Sequence, residues 1–158
     1  MNDMPILQRR RIEATVLGHV YREMKTRMSD EHAQEIIGAA VTKSAIEQGA
    51  SMAEDLGHEP SLKDFLAILP LWQKDDALQI EVLESDDDKL EFNVVRCRYS
   101  EMYRDMGLGE IGHLLSCNRD GDFCTGYNPN MELTRTQTIM KGASHCDFRY
   151  RMKKTEGV

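Results

Sequence analysis

Leu78-Gln79-Ile80-Glu81-Val82, followed beyond the polar run Ser85-Asp86-Asp87-Asp88-Lys89 by Leu90-Glu91-Phe92-Asn93-Val94, is the stretch that decides the fold. Leu78, Ile80 and Val82 alternate with Gln79 and Glu81, and Leu90, Phe92 and Val94 alternate with Glu91 and Asn93. Each segment therefore presents one apolar face at the period of a strand. The pair reads as a β-hairpin whose loop is longer than two residues. Its acidic run reads as a solvated turn rather than a calcium loop, because no spaced ligand series or terminal glutamate follows. Two further strands are expected near Glu132 to Met140 and near His145 to Met152, joined by a turn at Lys141-Gly142.

Upstream of Pro70 the apolar period is close to four. From about Pro5 to Met28, Ile12, Val16, Val20 and Met24 recur on one helical face. Ser29 or Asp30 caps a second helix that runs to Leu56 and stops at Gly57. That helix is rich in small residues, among them Ala33, Gly38, Ala40, Ala45, Gly49 and Ala53, which admit another backbone from the same chain or from a second copy. Ser61 and Asp64 have the spacing of a capping box, and the short helix they open stops before Pro70. A further helical segment spans about Ser100 to Asn118, broken at Gly107-Leu108-Gly109. The expected class is α+β: N-terminal helices packed on an antiparallel sheet of about four strands. The whole chain is read as a single domain, with a helical half to about residue 70 and a mixed strand and helix half from about 71 to 152.

With 158 residues the chain is long enough to bury a core without staples. A net charge of −7 and a pI near 5.2 repel polyanions, and nucleic acid is not an expected partner. Charged residues make up 30% of the chain and mean hydropathy is −0.53, so no membrane association is expected. The basic Arg9-Arg10-Arg11 start lacks the apolar run of a secretory signal, and the four cysteines are too few for a disulfide scaffold. Both point to the cytoplasm and to free thiols. The exposed small residues of the second helix, with Met24, Met28 and Met52, suggest a homo-oligomer.

The C-terminal third concentrates chemistry. Ser116-Cys117-Asn118-Arg119-Asp120, Arg135-Thr136-Gln137-Thr138 and His145-Cys146-Asp147-Phe148-Arg149-Tyr150 mix thiols, acids, arginines and an imidazole, a poor recipe for a core. Glu110, His113 and Cys117 would form one stripe on a helix, the parts of an activated nucleophile, or equally a surface pair beside a buried thiol. Alternation places Cys146 with Phe148 and Tyr150 on one strand face. Cys97 and Tyr99 fall on the face opposite Leu90, Phe92 and Val94. Cys97, Cys117 and Cys146 are expected in one pocket, and Cys124, in a loop from Gly121 to Asn130, outside it. The cysteine spacings match no close zinc pair, so no metal or other cofactor is expected, zinc being the alternative.

The runs Cys97-Arg98-Tyr99 with Glu101, Met106-Gly107-Leu108, Leu115-Ser116-Cys117-Asn118-Arg119-Asp120, Gly126-Tyr127-Asn128-Pro129, Arg135-Thr136-Gln137-Thr138 and Cys146-Asp147-Phe148 resemble the L-2-amino-thiazoline-4-carboxylic acid hydrolase family. Arg9 to Ala14 and Ser61 to Phe65 carry a looser likeness. The resemblance implies a bacterial, cytoplasmic hydrolase that opens a cyclic thiazoline to an N-carbamoyl cysteine. Chemistry then nominates Cys117 first and Cys146 second as nucleophile, with Asp120, Glu101 and His145 as acids or bases. Arg135 is the candidate for the substrate carboxylate, as a guanidinium can bind it bidentately; the alternative is a cross-strand ion pair with Glu132 or Asp147. Cys97, Tyr99, Asp147 and Arg149 complete the expected substrate contacts. The opposing reading is a non-catalytic small-molecule or metal binder that uses the same pocket.

Overall fold

A computed structural model describes residues 4–153. In chain order the elements are α1 (Ile6–Lys25), α2 (Asp30–Leu56), α3 (Leu62–Ile68), α4 (Pro70–Gln73), β1 (Leu78–Ser85), β2 (Lys89–Cys97), α5 (Arg98–Asp105), a π-helical turn (His113–Cys117), α6 (Arg119–Tyr127), β3 (Met131–Thr134) and β4 (Cys146–Met152). Among the described residues the strands form one antiparallel sheet in the order β1-β2-β4-β3. This is the α+β architecture that the change of period after Pro70 predicts.

The local signals at the helix ends are realised. The Ser29 side chain accepts from the His32 amide, and Gly57 closes α2 with φ at 78°. Ser61 and Asp64 form both hydrogen bonds of a capping box. Asp86 accepts from the amides of Asp88 and Lys89, which shapes the hairpin turn.

The apolar face of α1 is a different matter. Ile12, Val16 and Val20, read from the sequence as the buried stripe, are 53%, 61% and 42% exposed. The helix instead buries Ile6, Arg10, Ala14, Gly18 and Tyr21. The reason is close approach: Gly18 lies against the Leu108 side chain, and Arg10 is drawn inward by side-chain partners described below. Met24, Met28 and Met52, expected on a free face, are half-buried against the core.

The small residues of α2 serve the chain itself. A Cβ built on Gly49 would fall 2.2 Å from the Phe123 carbonyl oxygen, and one on Gly126 would fall 1.9 Å from that of Ile46. The backbones of α2 and α6 thus touch at a pair of glycines. The segment from Gly121 to Asn130, read from the sequence as a loop, is helical as far as Tyr127, where it packs against α2.

Two apolar clusters result. One gathers α1, α2, α5 and residues 108–115; the other sets Phe65, Phe123 and Tyr127 against Phe92, Phe148 and Tyr150 of the sheet. Trp72, Leu78 and Cys97 touch both. A cavity opens along that seam.

Candidate functional site

A cavity of about 80 Å³ is lined by Arg10, Trp72, Cys97, Tyr99, Tyr103, Ser116, Cys117, Arg119, Asp120, Arg135, Met140 and Cys146, with Leu78, Val94, Ser100 and Phe148. By volume it has room for a few water molecules.

Each thiol reaches the cavity by its own device. Cys146 arrives by simple alternation, on the buried face of β4 with Phe148 and Tyr150. Cys97 arrives through a bulge: Gln79 pairs with Arg96 but Ile80 pairs with Val94, so Val95 is the extra residue. Val95 and Arg96 both turn outward, and Cys97 is returned to the side of Val94, which plain alternation forbids. Cys117 arrives through the π-helical turn, closed by the Asn118 amide on the His113 carbonyl. Such turns re-aim side chains and are frequent at functional sites. Tyr103 and Ser116 are hydrogen-bonded to one another beside it. Cys124 lies outside the cavity, on the buried side of α6, with its thiol directed to the Asp120 carbonyl.

Asp120 and Arg135 form the central polar pair. Arg135 donates to the Asp120 carboxylate at 2.7 Å and to the Cys117 carbonyl at 2.9 Å, and its guanidinium lies over the Phe148 ring. The partner is thus Asp120 and not Glu132 or Asp147. Loss of solvent pushes the Asp120 carboxyl above its ordinary range, against the pull of Arg135.

The cavity is also lined by two arginines that sequence patterns hide, since buried arginine looks like surface. Arg10 and Arg119 are both buried, and both donate to the same Gln48 amide oxygen, at 3.0 and 2.9 Å. Arg10 also holds Glu13 at 2.8 Å. The Nε–H of Arg119 is buried without a hydrogen-bond partner. Desolvation and the neighbouring Arg10 charge lower Arg119 to about 10, so it stays protonated at neutral pH.

Burial pushes all three thiols up, Cys117 to about 12 with the Asp120 charge adding to desolvation. The resting thiols are therefore neutral at pH 7. Cys117 in the folded protein is expected to react with iodoacetamide at least about tenfold more slowly than in the unfolded chain at pH 7. Mass spectrometry of timed samples checks this, and rapid labelling of folded Cys117 would contradict it.

The other nominated residues lie elsewhere. Glu101 is exposed and pairs with Arg96 at 3.3 Å. His145 sits among Gln137 and Ser144, outside the cavity. The Asp147 carboxylate accepts the amides of Thr136 and Gln137 and the Thr136 hydroxyl. This capture takes the chain off the ladder after Thr134 and explains why β3 is shorter than the expected strand to Met140. Arg149 lies across the sheet, bonded to the Phe92 carbonyl and Asn93. Glu110 precedes the π turn and pairs with Lys25 at 2.8 Å, so the expected Glu110, His113, Cys117 stripe does not form. Among the described residues no three His, Cys, Asp or Glu side chains are grouped to hold a metal ion, and no helix is long and apolar enough to cross a membrane.

The arrangement of helices over a four-stranded antiparallel sheet is similar to that of solved structures. One similar structure is subunit 3 of the trafficking protein particle complex from Naegleria fowleri, solved covalently bound to palmitic acid, with TM-score 0.56 and 11% identity over 92% of this chain and 96% of that one. Another is the phenol-responsive sensory domain of the transcription activator PoxR, solved with phenol, with TM-score 0.50 and 15% identity over 87% of this chain and 73% of that one. At such identities the likeness is one of fold. The sequence goes further: the family model of L-2-amino-thiazoline-4-carboxylic acid hydrolase matches residues 9–150, and the chain belongs to that family. No curated protein matches it.

Proposed function

We propose that this chain is a cytoplasmic hydrolase that opens a small cyclic thiazoline or amidine carrying a carboxylate, in the manner of L-2-amino-thiazoline-4-carboxylate giving N-carbamoyl-L-cysteine. The observation that carries this reading is the wall made by Arg10 and Arg119. Two buried like charges share one amide oxygen, and one buried N–H has no partner. A carboxylate placed there satisfies the donor and relieves the repulsion. Arg135, committed to Asp120 and Cys117, serves instead to hold the acid in place.

In this mechanism water adds to the ring carbon between nitrogen and sulfur. As the new C–O bond forms, Asp120 takes one water proton and passes it to the ring nitrogen, which receives the C=N electron pair. As the adduct's hydroxyl becomes C=O and the C–S bond breaks, Asp120 carries the hydroxyl proton to the leaving sulfur. Ring plus one water gives the open carbamoyl thiol, so atoms and charge balance. A carboxyl raised by desolvation is a stronger base than a solvated one, which suits this shuttle. Neutral resting thiols favour it over a preformed cysteine nucleophile; Cys97, Cys117 and Cys146 then shape and desolvate the reaction space.

Arg119→Met is expected to raise KM roughly 100-fold, the loss of one buried charge-assisted anchor, with a smaller change in kcat. Steady-state kinetics on the ring carboxylate, with circular dichroism to establish folding, decides it. An unchanged KM would remove Arg119 from carboxylate recognition.

A second reading is supported by the neutral thiols and by the fold neighbours, which were solved with palmitic acid and phenol: the cavity binds a small molecule without turnover. Trp72 is the only tryptophan and lines the cavity, so its fluorescence separates binding from catalysis. A saturable signal without product would favour the binder.

A further inference from the structure

The exposed aliphatic stripe of α1 belongs to a longer pattern. At 100° per residue, Arg9, Ile12, Val16, Val20 and Glu23 fall on one face. The stripe reads cation, three aliphatics, anion. Laid antiparallel on a second copy about Val16, each residue a given number of places before Val16 meets the residue the same number of places after it. Ile12 then faces Val20 of the other copy, Val16 faces Val16, and Arg9 faces Glu23 at both ends. A parallel pairing would set Arg9 on Arg9 and Glu23 on Glu23. The pattern is thus self-complementary in one orientation only. Among the described residues the Glu23 carboxylate pairs with exposed Arg27, and Arg9 forms no ion pair. Val16 also borders a groove that Ala40, Val41 and Ser44 of α2 line from the other side.

We propose that the exposed face of α1 is the docking surface for a second copy of this chain, joined antiparallel through Val16 with Arg9 and Glu23 paired across the interface. This moves self-association from the small-residue face of α2, which α6 occupies at Gly49, to α1. None of the three positions tested below contributes a side chain to the cavity.

Light scattering and sedimentation of the wild-type protein at micromolar concentration are expected to give twice 18.1 kDa. Val16→Arg, which sets two cations together on the two-fold, is expected to give the monomer mass with unchanged circular dichroism. Arg9→Glu and Glu23→Arg alone each place like charges at both ends and are expected to weaken the dimer by about tenfold in Kd, while the double exchange restores it. A wild-type mass of 18.1 kDa, a folded Val16→Arg dimer, or a double exchange no tighter than the singles would each overturn the proposal.

Discussion

Gly126→Ala and Gly49→Ala are each expected to cost the fold about 3 kcal/mol or more, a large share of a stability on the order of 5 to 15 kcal/mol. A methyl added at Gly126 would lie 1.9 Å from the Ile46 carbonyl oxygen and 2.9 Å from the Ala50 amide nitrogen. Both are helix backbone, so no rotamer change relieves the contact; α2 and α6 must separate. Position 49 meets the Phe123 carbonyl and the Tyr127 amide in the same way. Gly121 lies on α6 with nothing within 4 Å of its would-be Cβ. Gly121→Ala therefore gains up to about 1 kcal/mol from reduced chain entropy. Urea unfolding of the three variants tests the crossing. Wild-type stability at Gly49→Ala and Gly126→Ala would mean the helices do not meet there. Because Arg119 and Asp120 start α6, separation should also disturb the site.

Asp120→Asn is the second change with a large expected effect, a fall in kcat of about 10²- to 10⁴-fold with the fold retained. Asparagine keeps the volume and can still accept from Arg135, but it neither takes a proton from water nor returns one to sulfur. The pH profile gives an independent sign. Desolvation raises the Asp120 carboxyl in the folded protein, so the base form is lost as pH falls through a value above the ordinary aspartate range. The acid limb of kcat/KM should therefore lie above that of a solvated aspartate and be absent from the residual activity of Asp120→Asn. Cys117→Ser, by contrast, should retain activity within about tenfold, because no thiolate is required. Loss of all turnover in Cys117→Ser, with Asp120→Asn active, would reverse these roles.

What the sequence discloses follows from what each signal measures. The hairpin is legible because one face of Leu90, Phe92 and Val94 is buried and the other is not, and alternation reports that directly. Caps at Ser29, Gly57 and Ser61 are legible because they are local hydrogen bonds. The face of α1 is misread because hydropathy cannot foresee a buried side made of Arg10, Ala14 and Gly18, with the aliphatics left outside. Helix α6 escapes for the same kind of reason: Gly126 lowers local helix propensity yet is what lets the helix form against α2. The meeting of Cys117 and Cys146 can be anticipated, but the routes of Cys97 and Cys117 to the cavity depend on a bulge at Val95 and a π turn, which no residue pattern announces. Arg119 sits inside a quoted motif, and only burial shows that its guanidinium lacks a partner. Glu101 and Asp147 look like site residues because composition alone cannot tell a catalytic carboxylate from one bonded to Arg96 or to a loop.

The most direct measurement is the release of thiol from L-2-amino-thiazoline-4-carboxylate by the purified protein, followed with a thiol reagent while Trp72 fluorescence reports occupancy of the cavity. Saturable quenching is expected together with one new thiol per ring opened, sustained over many turnovers and largely abolished by Asp120→Asn. Saturable quenching with no thiol released would contradict it and leave a binding protein in its place.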